Sequence, residues 1–180
     1  MSSLIATRNG QVGIINPDSG IFEPIISDRI ENLTDIAVAL DGRIFAITFN
    51  TLYNIDETTG EVVELGQFGN GASINAIGFS PEDKLFGVST QGSEIYEIDT
   101  TTGASTVVFD IGNGFRSSGD IEFDDGSGRF FATSTSPVSD TLYSIGLNRQ
   151  TGELSQADEI GPIGFQDVWG LSSNENGLLG

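Results

Sequence analysis

Carboxylates are the main chemically active side chains of this chain, because its 180 residues include 26 Asp and Glu but no His and no Cys. Without imidazole or thiolate, the sequence excludes His-based catalytic triads, cysteine nucleophiles, disulfides and the zinc or copper sites that need those ligands. A pair of carboxylates about 5 to 9.5 Å apart could cleave a glycoside. With so many acidic residues, however, no pair stands out, and we predict that the chain is not an enzyme.

Four polar residues that precede apolar ones at corresponding points of the chain are the candidates for a metal site. They are Asp35, Asn75, Asp120 and Asp167. If the fold brings them together, their like charges repel unless a cation lies between them or one carboxylate stays protonated. Calcium is the ion to expect, since it takes oxygen ligands, and no other cofactor is expected. The alternative is structural, with each side chain accepting hydrogen bonds from nearby backbone N–H groups.

A second group of residues lies outside the repeated positions and is a candidate for binding a partner. It consists of Phe68, Phe115, Arg116, Phe165 and Trp169. We expect these side chains on one rim of the molecule, where aromatic rings stack on a sugar or a partner side chain and the guanidinium donates hydrogen bonds. The alternative is that the rings fill the mouth of a central channel.

The charge balance excludes two classes of partner. Against 26 acidic residues there are only 7 Lys and Arg, which gives a net charge of −19. Nucleic acids and anionic membranes both require a basic surface. No stretch approaches the roughly 18 consecutive apolar residues that cross a bilayer, so membrane insertion is not expected. The first residues show no signal peptide.

The chain is made of four similar segments. Corresponding apolar runs begin at Leu4, Ile44, Leu85 and Phe130, about 40 to 45 residues apart. We place the repeats at about 2–41, 42–83, 84–128 and 129–177, with 178–180 as the start of a fifth. All of them belong to one predicted domain, residues 1–180.

Each repeat predicts four short β-strands. The runs are rich in Ile, Val, Phe, Tyr and Thr and are bounded by Gly, Asp and Asn, which is the strand pattern. Thr-Thr-Gly turns such as 58–60 are typical of hairpins. The run 43–49 is almost continuously apolar, which favours stacked propeller blades over a sandwich with alternating faces. The prediction is an all-β β-propeller with about four antiparallel four-stranded blades and about sixteen strands.

Two linked patterns carry a resemblance to known proteins. Asp-Ile-Ala-x-x-x-Asp-Gly-x-Ile-Phe-Ala spans 35–46, and Leu-Tyr-x-Ile-Asp-x-x-Thr-Gly spans 52–60. They resemble the repeats of bacterial propellers of the NHL, YncE-like and quinoprotein-like families, and the resemblance covers essentially the whole chain. Those families include scaffolds, sensors, carbohydrate-active proteins and enzymes, so the resemblance implies a fold without one function. No WD dipeptide signature or quinoprotein cofactor motif is present, and no functional residue is carried over.

The order of the strands predicts how the ring closes. We expect 167–172 to form an innermost strand that pairs with the N-terminal strands and leaves no open edge. Two alternatives remain open. Residues 178–180 could begin a further blade of a larger ring, or several chains could complete one ring together.

These features predict a non-catalytic scaffold or interaction module. An acidic, cysteine-free β-protein of low charge density resembles bacterial extracellular-matrix and surface proteins, so we expect a location outside the cell or on a cell or virion surface. The expected partners are another protein or further copies of the chain, as a homo-oligomer or filament, with polysaccharide as another ligand. The alternatives are a calcium-dependent carbohydrate-binding or carbohydrate-active protein and a structural component of a phage virion.

Overall fold

A computed structural model describes residues 4–69, 71–174 and 177–179. Every regular element in this part of the chain is a β-strand. The described residues therefore include no helix that could cross a membrane. The all-β prediction is confirmed.

Four antiparallel sheets form the blades of a β-propeller, and a fifth pair of strands follows them. The first sheet contains β1 (Leu4–Arg8), β2 (Gln11–Ile15) and β3 (Phe22–Pro24). The second contains β4 (Asp35–Val38), β5 (Ile44–Ile47), β6 (Thr51–Ile55) and β7 (Val62–Gln67). The third contains β8 (Ile74–Phe79), β9 (Leu85–Ser89), β10 (Glu94–Ile98) and β11 (Ser105–Asp110). The fourth contains β12 (Ser117–Asp124), β13 (Arg129–Ser134), β14 (Thr141–Asn148) and β15 (Glu153–Pro162). The last pair is β16 (Ser172–Asn174) with β17 (Gly177–Leu179).

The blades stack face to face, and their middle strands are buried on both sides. All four residues of β5 are fully buried. Ile44 and Ala46 pack in a cluster with Val12 of the first blade. Phe45 and Ile47 point the other way, into a cluster with residues of the third blade. Successive strand residues face opposite sides of a sheet, so the continuous apolar run supplies both contacts.

A repeated turn joins the last two strands of each of these four sheets. An Asn or Asp at its first position accepts hydrogen bonds from the backbone N–H groups two and three residues later, and a glycine ends it. In the second blade Asp56 Oδ1 accepts from Thr58 and Thr59, both at 2.8 Å, and Gly60 N–H donates to the Asp56 carbonyl. The same bonds recur at Asn16, Asp99 and Asn148. Side chains that bond their own following backbone in this way favour turns over continued strands.

The predicted closure of the ring is wrong in its pairing. Residues 163–171 are irregular, the strand begins only at Ser172, and it pairs with β17. Among the described residues, β1 pairs with β2 alone. Only two residues separate β16 from β17. The entropic cost of bringing these two strands together is therefore far smaller than the cost of pairing β16 with the other end of the chain.

The turn glycines give a test of blade packing. Gly20 and Gly60 both hold a positive φ, +68° and +72°. A Cβ on Gly20 would meet nothing within 4 Å, whereas one on Gly60 would lie 2.4 Å from the carbonyl oxygen of Ile25 in the neighbouring blade. We expect Gly20→Ala to lower the free energy of unfolding by about 1 kcal/mol through φ strain. Gly60→Ala should cost about 1 kcal/mol more, because the blades must separate.

Denaturant titration of the two variants and the parent chain measures both values. Equal losses for Gly20→Ala and Gly60→Ala would contradict the close approach of the second-blade turn to the first blade.

Candidate binding channel

The innermost strands converge on a cavity of about 1190 Å³. Its walls come from β1, β4, β8, β12 and the segment 169–172. We call this cavity the channel. It is open to solvent, and the exposed residue Trp169 forms part of its wall.

The titratable side chains that line the described channel are all acidic. They are Asp35, Asp120, Glu122 and Asp125. Four of the seven basic side chains form ion pairs outside the channel. Arg43, Lys84, Arg129 and Arg149 form ion pairs with Asp41, Glu97, Asp158 and Glu82 respectively. Among the described residues that line the channel, none is basic.

Two of the channel aspartates connect one blade to the next. Asp35 Oδ2 on β4 accepts a hydrogen bond of 2.7 Å from the backbone N–H of Ile77 on β8. Its Oδ1 accepts a second from Ile36, at 2.8 Å. Asp120 on β12 accepts from the backbone N–H of Leu171, next to β16. The bonds from Ile77 and Leu171 each join a side chain to the backbone of the next element, so Asp35 and Asp120 stabilise the inner contact between blades.

Burial and mutual repulsion raise the pKa values of the channel carboxyl groups. Burial raises the pKa of Asp35 well above its usual value, and the nearby charge of Asp120 adds to the effect. Burial likewise raises the pKa of Asp120 to about 6. The pKa of Glu122 rises to about 7, first through burial and then through the charges of Asp120, Asp124 and Asp125. Near neutral pH the channel carboxyl groups are therefore not all ionised.

The structure brings together two of the four candidate metal ligands. Asp35 and Asp120 both line the channel. Asn75 is buried, its Oδ1 accepts no hydrogen bond, and it lies outside the channel lining. Asp167 is exposed and holds a φ of +58° in the irregular segment before β16. Among the described residues no three acidic side chains lie close enough to hold one metal ion, so the three aspartates do not form a shared site. Binding of calcium by the chain stays a prediction.

The candidate partner-binding residues divide into a buried and an exposed pair. Phe68 and Phe115 are 1% and 0% exposed. Phe115 packs edge-on against Tyr143, with ring centroids 5.3 Å apart. Contact of these two rings with a partner was a wrong expectation, because both fill the core between blades. Phe165 and Trp169 are 70% and 71% exposed.

Arg116 lies between these two situations. It is half-buried, and its guanidinium donates a 2.5 Å hydrogen bond to the carbonyl oxygen of Phe115. Its backbone N–H donates to Ser134 Oγ at 3.0 Å. The side chain is therefore turned toward its own backbone.

Polar contacts hold the segment that carries Phe165 and Trp169, here called the rim segment (163–171). Asp140, which is 1% exposed, is its main anchor. The Asp140 backbone N–H donates to the carbonyl of Phe165 at 2.6 Å, and its Oδ2 accepts from Val168 N–H at 2.8 Å. The carbonyl of Val168 accepts from Ser118 Oγ and Thr133 Oγ1, both at 3.2 Å. Together with the bond from Leu171 N–H to Asp120, these contacts fix the backbone on both sides of Trp169.

Gly119 lets the indole of Trp169 approach the fourth blade closely. A Cβ at position 119 would lie 3.1 Å from Trp169 Cδ1 and 3.2 Å from its Cα. The sequence gives no sign of the roles of Asp140 and Gly119. Ser-Asp and Ser-Gly pairs are common turn sequences, and contacts 28 to 50 residues apart leave no local pattern.

Comparison of the sequence with protein-family models and with curated proteins gives no match. Solved structures do resemble the fold. An auxiliary nutrient binding protein from Bacteroides ovatus matches 98% of this chain and 43% of its own, at a TM-score of 0.69 and 15% identity. A chain of a nidogen/laminin complex has a TM-score of 0.71 and 13% sequence identity, and the match covers 96% of this chain and 66% of that one. Virginiamycin B lyase from Staphylococcus aureus has a TM-score of 0.60 and 18% sequence identity, and the match covers 84% of this chain and 49% of the lyase chain.

These similarities show a propeller fold and nothing narrower. The identities are too low to carry a binding site or a reaction, and the NHL or YncE-like type of repeat is not confirmed. The chain spans 43% of the length of the nutrient binding protein. A lyase stands among the similar structures beside a binding protein, so the fold alone does not decide between binding and catalysis.

The raised pKa values predict how stability depends on pH. Unfolded Asp and Glu titrate near 3.8 and 4.5, whereas Asp120 and Glu122 titrate near 6 and 7 in the folded chain. Between these limits the folded state binds more protons than the unfolded state, so stability falls as pH rises from about 4 to about 7. Exposed Asp56 and Asp99 have pKa values lowered by backbone and side-chain hydrogen bonds. The stability that these two ionised side chains contribute is lost below about pH 4.

Asp120→Asn keeps an acceptor for Leu171 but removes the titrating group. We expect this variant to show a smaller loss of stability between pH 4 and pH 7 than the parent chain, measured by denaturant titration at a series of pH values. Asp28→Asn is the control, because Asp28 is exposed and its replacement removes the same charge. The same pH slope in both variants would show that Asp120 is not a source of the dependence.

Proposed function

We propose that this chain is a non-catalytic interaction module whose rim segment binds another protein. The observation that carries the proposal is the exposure of Phe165 and Trp169 on a segment already fixed by hydrogen bonds. Exposed aromatic rings are the side chains that dominate protein–protein contacts. A segment that is ordered before binding loses little conformational entropy when a partner arrives.

Net charge favours a different protein over further copies of the chain as the partner. Two copies of a chain with a net charge of −19 repel each other. A different protein with a neutral or basic surface meets no such opposition. The names of similar structures are compatible with binding, since one is a nutrient binding protein and another comes from a nidogen/laminin complex.

The absence of His and Cys supports a non-catalytic role, because it removes the usual bases and nucleophiles. The acidic, cysteine-free composition supports a place outside the cell or on a cell or virion surface, as part of a matrix or assembly. Binding of a polysaccharide by the same rings is the competing outcome, and the experiments below include it.

Light scattering tests self-association and calcium together. We expect the 180-residue chain to keep a mass of 19.0 kDa across a wide concentration range at low salt, with and without calcium. Charge repulsion is the reason. A defined oligomer or a filament would show that copies of the chain bind one another, and a mass that changes only with calcium would place the ion in that assembly.

Selection of peptides from a random display library tests the rim segment directly. We expect peptides that bind the parent chain and lose binding to Phe165→Ser and Trp169→Ser. Ile21→Ser is the matched control, since Ile21 is 58% exposed on the first blade, away from the channel lining. Failure to enrich peptides, or binding that both rim variants retain, would overturn the proposal. A glycan array run on the same variants detects the polysaccharide outcome.

A further inference from the structure

The channel, whose wall includes Trp169, has the chemistry of a site for an organic cation. We propose that it binds a lysine- or arginine-rich segment of the partner protein, with the cationic side chain between the indole and the channel carboxylates. This inference rests on the proposed function, because it names the chemistry of the partner at the same rim.

The shape of the channel fits a segment better than a single ion. Its volume of about 1190 Å³ exceeds the range of about 300 to 1,000 Å³ that is common for small-molecule pockets. The described acidic residues form no group of three that could surround one compact metal ion. Carboxylates spread along β4 and β12 instead match charges distributed along a chain.

Glu122 is the carboxylate most available to a ligand. Asp35 and Asp120 each use an oxygen to accept a backbone N–H from the next blade. The carboxylate of Glu122 accepts no hydrogen bond and forms no ion pair among the described residues, although the residue is half-buried in the channel wall. A half-buried, unpaired carboxylate among other acidic groups is stabilised by an approaching cation.

Trp169 supplies the second contact. A cation within about 6 Å of an indole face is attracted by the ring quadrupole. The indole is 71% exposed and lines the channel together with Asp120 and Glu122. Its neighbours Val168 and Leu171 are bonded to Asp140 and Asp120, so the ring needs little rearrangement to receive a ligand.

Trp169 is the chain's single tryptophan, so intrinsic fluorescence reports on this site alone. The probe is an acetylated, amidated penta-lysine peptide, with penta-glutamate, maltotriose and calcium chloride as separate titrants. We expect only penta-lysine to change the emission, with an affinity that falls as salt is added. Emission that responds to maltotriose or calcium instead would overturn the cation inference.

Two variants locate the site. Glu122→Gln should weaken penta-lysine binding by about tenfold, the size expected for loss of one partly buried charged contact. Glu23→Gln removes the same charge from an exposed position on β3 and should change the affinity by less than about twofold. Equal losses in the two variants would place the peptide on the general acidic surface and overturn the proposal. Trp169→Ala, measured by calorimetry, should also weaken binding, and thermal melting verifies that each variant folds.

The two proposals fail in different ways. Rim-dependent library peptides that carry no basic residues, together with no response to penta-lysine, would leave the interaction module standing and reject the cationic ligand. Penta-lysine binding that depends on Glu122 without rim-dependent library peptides would reject a protein-binding rim and retain the cation site.

Discussion

Burial of the middle strands on both faces is the constraint on which the rest of this structure depends. Ile44 and Ala46 pack toward the first blade, while Phe45 and Ile47 pack toward the third. Full burial of such a side chain contributes about 1.5 to 3 kcal/mol, and each blade obtains it only from its neighbours. No blade has an independent core, so the sheets must stack in sequence around a common axis.

Stacking around an axis forces the innermost strands together, and this sequence places acidic residues there. Burying a carboxylate is unfavourable unless it accepts hydrogen bonds. Asp35 and Asp120 meet that condition with backbone N–H groups of the following blade. The same two residues therefore hold the blades and form part of the acidic lining of the channel. Replacement by Asn separates these roles, because the amide oxygen still accepts a hydrogen bond while the charge is lost.

The blades could be predicted from the sequence, because strand runs and turn residues are local signals. The sequence could not distinguish Phe68 and Phe115 from Phe165 and Trp169. All four lie between an outer strand and an inner strand, and their environment depends on what packs beyond them. The carbonyl of Phe68 accepts hydrogen bonds from the backbone and hydroxyl of Ser105 in the next blade, at 3.0 and 2.8 Å, and this contact turns the ring inward.

The pairing at the end of the chain was hidden for a similar reason. β1 and β17 carry similar sequences, so both match β16 in pattern, and only chain entropy separates them. In the same way, Asp167 matches Asp35 and Asp120 in sequence but lies in an irregular segment. Aligning the repeats shows which residues correspond in sequence. The direction of each side chain depends also on whether the backbone forms a β-strand at that position.

The rim segment departs from the repeat pattern, and its side chains are available for recognition because blade packing does not need them. Strand faces are committed to blade packing, and changing them costs stability. The rim segment is held instead by Asp140, Ser118 and Thr133 through its backbone atoms. Its side chains at 165 and 169 carry little of the packing, since both are exposed. A rigid scaffold that fixes the backbone and leaves the side chains free is the usual arrangement for binding loops. Trp169 lines the same channel as Asp120 and Glu122, so the proposed ligand would meet aromatic surface and carboxylates at one end of the molecule.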